Sequence, residues 1–246
     1  MDRIIYTSMT GANAAAQRQA VLANNLANAS TQGFRAEMST FRSVPLQGDG
    51  SKTRVFALEA TSGHLQTPGP VQRTGRALDA MAMGNAWFGV QGLDGLEAYT
   101  RAGGFEVSAA GTLLTSNGLT VLSDGGAPID VPPGAEVSLG ADGTISAKTA
   151  GQPATTIGRL KLATPTADNP LKRGDDGLFR TASGDPMPND PNARMLAGAI
   201  EGSNVNAVES MVGMIAAARQ FEQQMKLLQT AETNDKSASQ LLSLNG

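Results

Sequence analysis

The stretch VLANNLANASTQGFRAE, residues 21–37, decides how the chain is read. It begins as a helix, runs into Asn24, Asn25 and Asn28, and stops at Thr31-Gln32-Gly33-Phe34. An asparagine amide both donates and accepts, so these residues suit the last carbonyls of a helix or the backbone of another chain. Ser30 and Thr31 favour a turn. Gly33 is expected to take a positive φ, and Phe34 to anchor the exit in an apolar pocket. The stretch is a corner, and the chain on either side of it differs in kind.

Upstream of the corner the spacing predicts a helix over 4–27. Its inner stripe is Ile5, Met9, Ala12, Ala16, Gln19, Ala23 and Leu26, a 4,3,4,3,4,3 heptad seam. The seam is thin in apolar area, so such a helix is marginal alone in water. A second helix is predicted at the other end of the chain, starting near Ser203 or Asn204, both good capping residues. Its seam is Ala207, Met211, Met214, Ala218, Phe221, Met225 and Leu228, and Val208, Val212 and Ile215 form a second stripe beside it. Two readings stay open. The helices pair with each other through these seams, or further helices from other chains cover the stripe that one pair leaves exposed.

Between the helices the composition changes. All 12 prolines and 23 of the 29 glycines lie between Pro45 and Pro191, which excludes long helices there. Short alternating segments fill residues 84–147. Leu93-Asp94-Gly95, Asn117-Gly118, Asp124-Gly125-Gly126 and Asp142-Gly143 separate them. Asn-Gly and Asp-Gly are tight-hairpin signals, because both central residues can take positive φ. Trp87, Phe88, Tyr99 and Phe105 are the expected β core. The expected fold class is α+β, with long N- and C-terminal helices forming a coiled-coil-like inner domain and a hairpin-built outer domain. In residue ranges, 1–44 is the first helix and turn, and 45–80 an extended connector. The β-rich domain is 81–190, with its strand core at about 84–163. A second connector is 191–202, overlapping a wider non-periodic stretch over 164–200, and the last helix is 203–246.

The chemistry is sparse. The chain has 246 residues, a net charge of −3 and no cysteine, which excludes disulfides, thiol nucleophiles and cysteine metal sites. The scattered Lys and Arg form no basic stripe, so no nucleic-acid partner is expected. No apolar run approaches the ~18 residues of a membrane span, so no membrane insertion is expected. The N-terminus lacks the apolar core of a secretory leader. The single histidine, His64, cannot build a metal site or a catalytic triad alone. Asp142, Asp175 and Asp176 sit beside glycines in expected turns, where water reaches them, and no pair of carboxylates suggests a glycosidase. No catalytic, cofactor-binding or metal-binding residue is nominated.

Seamed helices at both ends, a β domain and no active site describe a building block. Identical subunits joined by contacts that do not close on themselves make a helical assembly.

Three blocks make the resemblance specific. LANNLANASTQGFRAE resembles the A-N-N-L-A-N-x-x-T-x-G-F-K/R signature of the flagellar rod and hook family, matched at Ala23, Asn24, Asn25, Leu26, Ala27, Asn28, Thr31, Gly33, Phe34 and Arg35. GNAWFGVQGLDGLEAYTRAGGFEVSAAGTLLTSNGLTVL is similar to its central block, and EGSNVNAVESMVGMIAAARQFE to its C-terminal one. The chain departs at Ser210, where a Glu is common. The resemblance implies a structural axial subunit of the flagellar basal body, most like the proximal rod branch, with no enzymatic activity and no cofactor. It implies homo-oligomerisation within a helical assembly, other rod proteins as neighbours, and export through the flagellar type III apparatus without a cleaved leader. It places the protein in the periplasmic rod. The alternatives are a distal-rod or hook-side paralogue, or an envelope hydrolase on a rod-like scaffold.

Overall fold

The structure, a computed structural model, describes residues 2–45 and 55–243. It is α+β, with a helix at each end and seventeen short strands between, among the described residues. The chain forms two compact units. The first runs up to Ala29, resumes over Ala36–Leu65 and takes in the chain from Val205 onward. The second is Ser30–Arg35 together with Gln66–Asn204.

In the first unit, helix α1 (Asp2–Ala27) packs on helix α2 (Ala207–Ser243). The pair is antiparallel: Gly11 lies against Gln224, and Leu22 against Gly213. The two helices do not meet through the expected seams. The buried positions are Ser8, Ala12, Ala15 and Asn25 on α1, and Ser210, Ala217 and Ala231 on α2. Of the expected seam only Ala12 is buried; Gln19, Leu26, Ala207, Met214, Ala218 and Leu228 are half-buried. Ile5, Met9, Ala16, Ala23, Met211, Phe221 and Met225 are exposed. The stripe is rotated by about one residue because small side chains set the helix separation. A Cβ on Gly213 would already meet a Leu22 methyl at 3.0 Å, so larger residues are pushed to the flanks.

The expected connector over 45–80 holds strands among its described residues, and so does the end of the range 1–44 expected as first helix and turn. Glu37–Pro45 pairs antiparallel with Val55–His64, with a register shift between Thr40 and Phe41. Residues 46–54 of the connector lie outside the described residues. Val71–Arg73 pairs with Ala199–Glu201, and Ala80–Ala82 with Met195–Ala197. The non-periodic stretches over 164–200 and 191–202 therefore hold strands too, including Leu171–Arg173 and Phe179–Thr181. These strands are three residues long in several cases, too short for alternation to register between prolines and glycines. The compact units part at Ala29, Arg35, Leu65 and Asn204.

The second unit has an eight-stranded sheet. Its path runs 171–173, 179–181, 97–100, 87–91, 120–121, 113–115, 105–107, and 162–163 also pairs with 87–91. A three-stranded sheet, 136–139, 144–148 and 155–159, accompanies it. Phe88, Phe105, Leu113, Ile145 and Leu160 are all at 0 % exposure in the core. The Phe88 and Phe105 rings meet edge to face at 5.2 Å. Trp87 and Tyr99 are buried in a second cluster with Phe179. All four expected core aromatics are thus inside. In the turns it is the glycine that takes the left-handed conformation. Gly95, Gly118, Gly126 and Gly143 have positive φ, and no described non-glycine residue does. Asp94 and Asp142 keep negative φ and instead accept a hydrogen bond from the amide two residues on, Leu96 and Thr144. A side-chain bond of this kind closes the turn without needing a second left-handed residue.

Candidate functional site

No described residue set has the form of a catalytic centre, so the candidate sites are an apolar band and the corner.

The band lies on α2. Val208, Val212 and Ile215 are 68 %, 61 % and 55 % exposed, with Met211 beside them. On α1, Ile5 and Met9 are exposed as well. A run of large apolar side chains facing water is the kind of surface at which a protein, membrane or ligand docks. The second stripe expected from the sequence is therefore on the surface, while the expected seams straddle the contact.

The corner is built in two parts. At the foot of α1, Asn25 is buried, and its amide makes two bonds to the backbone of Glu37. Nδ2 donates to the carbonyl at 2.9 Å, and the Glu37 amide donates to Oδ1 at 2.8 Å. The side chain imitates a strand partner and fixes where the first strand begins. Asn28 Nδ2 caps the Asn24 carbonyl at 2.9 Å. Asn24 and Ala27 are exposed. The second part belongs to the other unit. The Phe34 amide bonds back to Thr31 across a turn, and Gly33 takes φ 66° as expected. A Cβ on Gly33 would sit 2.4 Å from the Ala102 nitrogen, so steric crowding and φ both require glycine. Phe34 is buried, but against a cation: the Arg173 guanidinium lies 4.4 Å from its ring centre.

Next to Gly33 lies a charge cluster that the sequence did not disclose. Glu201 is 1 % exposed and faces two arginines. Arg35 Nη2 is 2.8 Å from Oε1; Arg101 Nε and Nη2 are each 2.7 Å from Oε2. The Arg101 Nη2 contact is ionic and off the hydrogen-bonding direction. The Gly69 amide donates to Oε1 at 2.9 Å. Arg35 also donates to the Thr67 carbonyl, and Arg101 to that of Ala86. Both guanidiniums lie over the Trp87 ring, at 5.9 and 5.8 Å. Burial, and then Arg101 against the pull of Glu201, holds the Arg35 pKa below its ordinary value. Arg35, Trp87, Arg101 and Glu201 come from the three blocks quoted above, one or two from each. Their presence in those blocks was the only signal; nothing in one sequence pairs position 101 with 201.

The remaining candidates are dispersed. Asp142 is held below its ordinary pKa by hydrogen bonds from Thr144, and Asp176 by Arg180. His64 ends the strand 55–64. Among the described residues no three metal-ligating side chains cluster, and no helix is long and apolar enough to cross a membrane. A groove of about 800 Å³ is lined by Leu78, Phe105, Val107 and Val137, with Glu106 and Glu136 at its rim. Both carboxylates are exposed, and burial is what a glycosidase acid needs to raise its pKa.

Three family profiles match in chain order. They are the flagella basal body rod protein over residues 5–35, the flagellar hook protein FlgE/F/G D1 domain over 81–147, and the flagellar basal body rod FlgEFG protein C-terminal over 196–241. The flagellar basal-body rod protein FlgF of Escherichia coli is 45 % identical over 254 residues, covering 100 % of both chains. That of Salmonella typhimurium is 44 % identical, also end to end. The rod protein FlgG of Bacillus subtilis is 30 % identical over 94 % of this chain and 96 % of its own. The corner, the Trp87–Arg101 segment and Glu201 with α2 each fall inside a matched region, and the chain belongs to the flagellar basal-body rod protein family, where it is similar to FlgF.

Proposed function

We propose that this chain is a structural subunit of the proximal flagellar rod, exported by the flagellar type III apparatus and polymerised with its own copies and other rod proteins. The terminal helices form an inner, coiled-coil-like layer in which neighbours cover Val208, Met211, Val212 and Ile215. The β-rich unit forms the outer layer. The expected seam residues Ile5, Met9, Ala16, Ala23, Met211, Phe221 and Met225, exposed in the single chain, serve contacts between subunits. The shaft transmits torque and catalyses nothing. The band on α2 carries this reading, because one chain leaves it uncovered while the core of the other unit is closed. End-to-end similarity to FlgF at 45 %, against 30 % for FlgG, favours the proximal position over the distal one.

Val212→Asp tests it. An exposed substitution changes folding stability by within about 0.5 kcal/mol, so the purified chain melts as the parent does. In a strain that depends on this chain for swimming, the same variant is expected to be absent from isolated basal bodies and to leave the cells non-motile. Full motility with normal incorporation would overturn the reading.

A further inference from the structure

We propose that residues 30–35 form a releasable strap on the second unit, latched by Arg35, and that the rest of the unit keeps its fold around the Arg101–Glu201 pair when the strap is off. The strap contributes no strand. Backbone hydrogen bonds tie it to the rest of the unit, among them Gly33 N to the Glu201 carbonyl at 2.8 Å and Asn204 N to the Phe34 carbonyl at 3.2 Å.

Every group that Arg35 engages has a second partner. Glu201 Oε1 keeps the Gly69 amide. The Thr67 carbonyl keeps Asn204 Nδ2, 2.8 Å away. The Trp87 ring keeps the Arg101 guanidinium. Withdrawing the Arg35 side chain therefore strands none of the polar groups it engages, and stranding is what makes loss of a buried partner costly. The charge balance points the same way. Two arginines against one glutamate leave the buried cluster at one net positive charge; without Arg35 it is a neutral pair. Arg35 Nε finds no hydrogen-bond partner in the docked state. Arg101 is the opposite case. It is 1 % exposed, and both its Nε and its Nη2 lie 2.7 Å from Glu201 Oε2.

The role of the strap rests on the rod reading. A chain that travels with its N-terminal region unfolded needs that region to dock last, on a unit already formed.

Hydrogen exchange on the purified full-length chain tests the device. Arg35→Met is expected to speed exchange over residues 31–36 by about tenfold or more, leaving 97–101 and 113–121 within about twofold of the parent. Gly33→Ala, which blocks docking by crowding instead of charge, gives the same pattern. Arg101→Met strips protection from both regions. Deprotection of 97–101 by Arg35→Met, no change over 31–36, or failure to recover a folded Arg35→Met chain would each overturn the proposal. Absence of the parent chain from basal bodies would sink the rod reading and leave the exchange result standing.

Discussion

The two units treat their large apolar side chains in opposite ways. The β-rich unit hides Phe88, Phe105, Leu113, Ile145 and Leu160 completely. The helical unit puts alanines and serines between its helices and turns Val208, Val212 and Ile215 toward water. Burying alanine removes far less apolar area than burying leucine or phenylalanine. The first arrangement is complete within one chain; the second leaves apolar area uncovered, which the proposed assembly would bury.

The largest effect that sharpens this contrast is Phe88→Ala. The ring is at 0 % exposure against Phe105, and its loss leaves a cavity in a closed core. The expected cost is about 3–5 kcal/mol, seen as a lowered thermal midpoint for the near-ultraviolet signal of Trp87. A Phe88→Ala chain that melts like its parent would mean that the β-rich unit does not rest on its own core.

In the helical unit the same test must address a polar contact, since little apolar area is there to remove. Asn25→Ala deletes both bonds to the Glu37 backbone. The loss should come to about 1–2 kcal/mol, with faster amide exchange at Glu37 and unchanged exchange over residues 113–121. Equal loosening of both regions would blur the distinction between the units.

The contrast also explains what the sequence disclosed. Proline and glycine exclude helix locally, so both terminal helices were legible, α1 to its last residue. Aromatic residues in an alternating zone have few places to go but a core, and Trp87, Phe88, Tyr99 and Phe105 went there. The phase of the helix contact was not legible, because periodicity alone favours the larger residue at each turn. Here the helices approach closely enough that Ser8, Ala12 and Ala15 occupy the interface and Met9 does not. The start of α2 was placed early because Ser203 and Asn204 are good caps. Asn204 is held instead by the Phe34 and Thr67 carbonyls, and Asn206 caps the helix through the Glu209 amide. The strands at 55–64, 71–73 and 199–201 are stabilised by partners up to about 130 residues away, which local pattern does not carry. The Arg35–Glu201–Arg101 cluster was hidden for the same reason, although each residue stood in a quoted block.

The smallest effect concerns the surface of the β-rich unit. Arg180 bridges Asp176 at 2.7 Å and Asp94 at 2.9 Å, joining two turns of the sheet. Hydrogen bonding from Arg180 holds Asp176 below its ordinary pKa of 3.8. A carboxylate with a depressed folded-state pKa contributes stability that is fully present above 3.8 and fades as the pH falls through the lower folded-state value. Asp176→Asn should therefore cost a constant amount from neutral pH down to the ordinary carboxylate range, then converge on the parent below it. Asp176 is 34 % exposed, so solvent screens the pair, and the cost should be only about 0.5 kcal/mol. Urea melts at neutral pH and in acid read both the size and the convergence. A penalty of several kcal/mol, or one that grows in acid, would show that the β-rich unit depends on its surface charges as well as on its core.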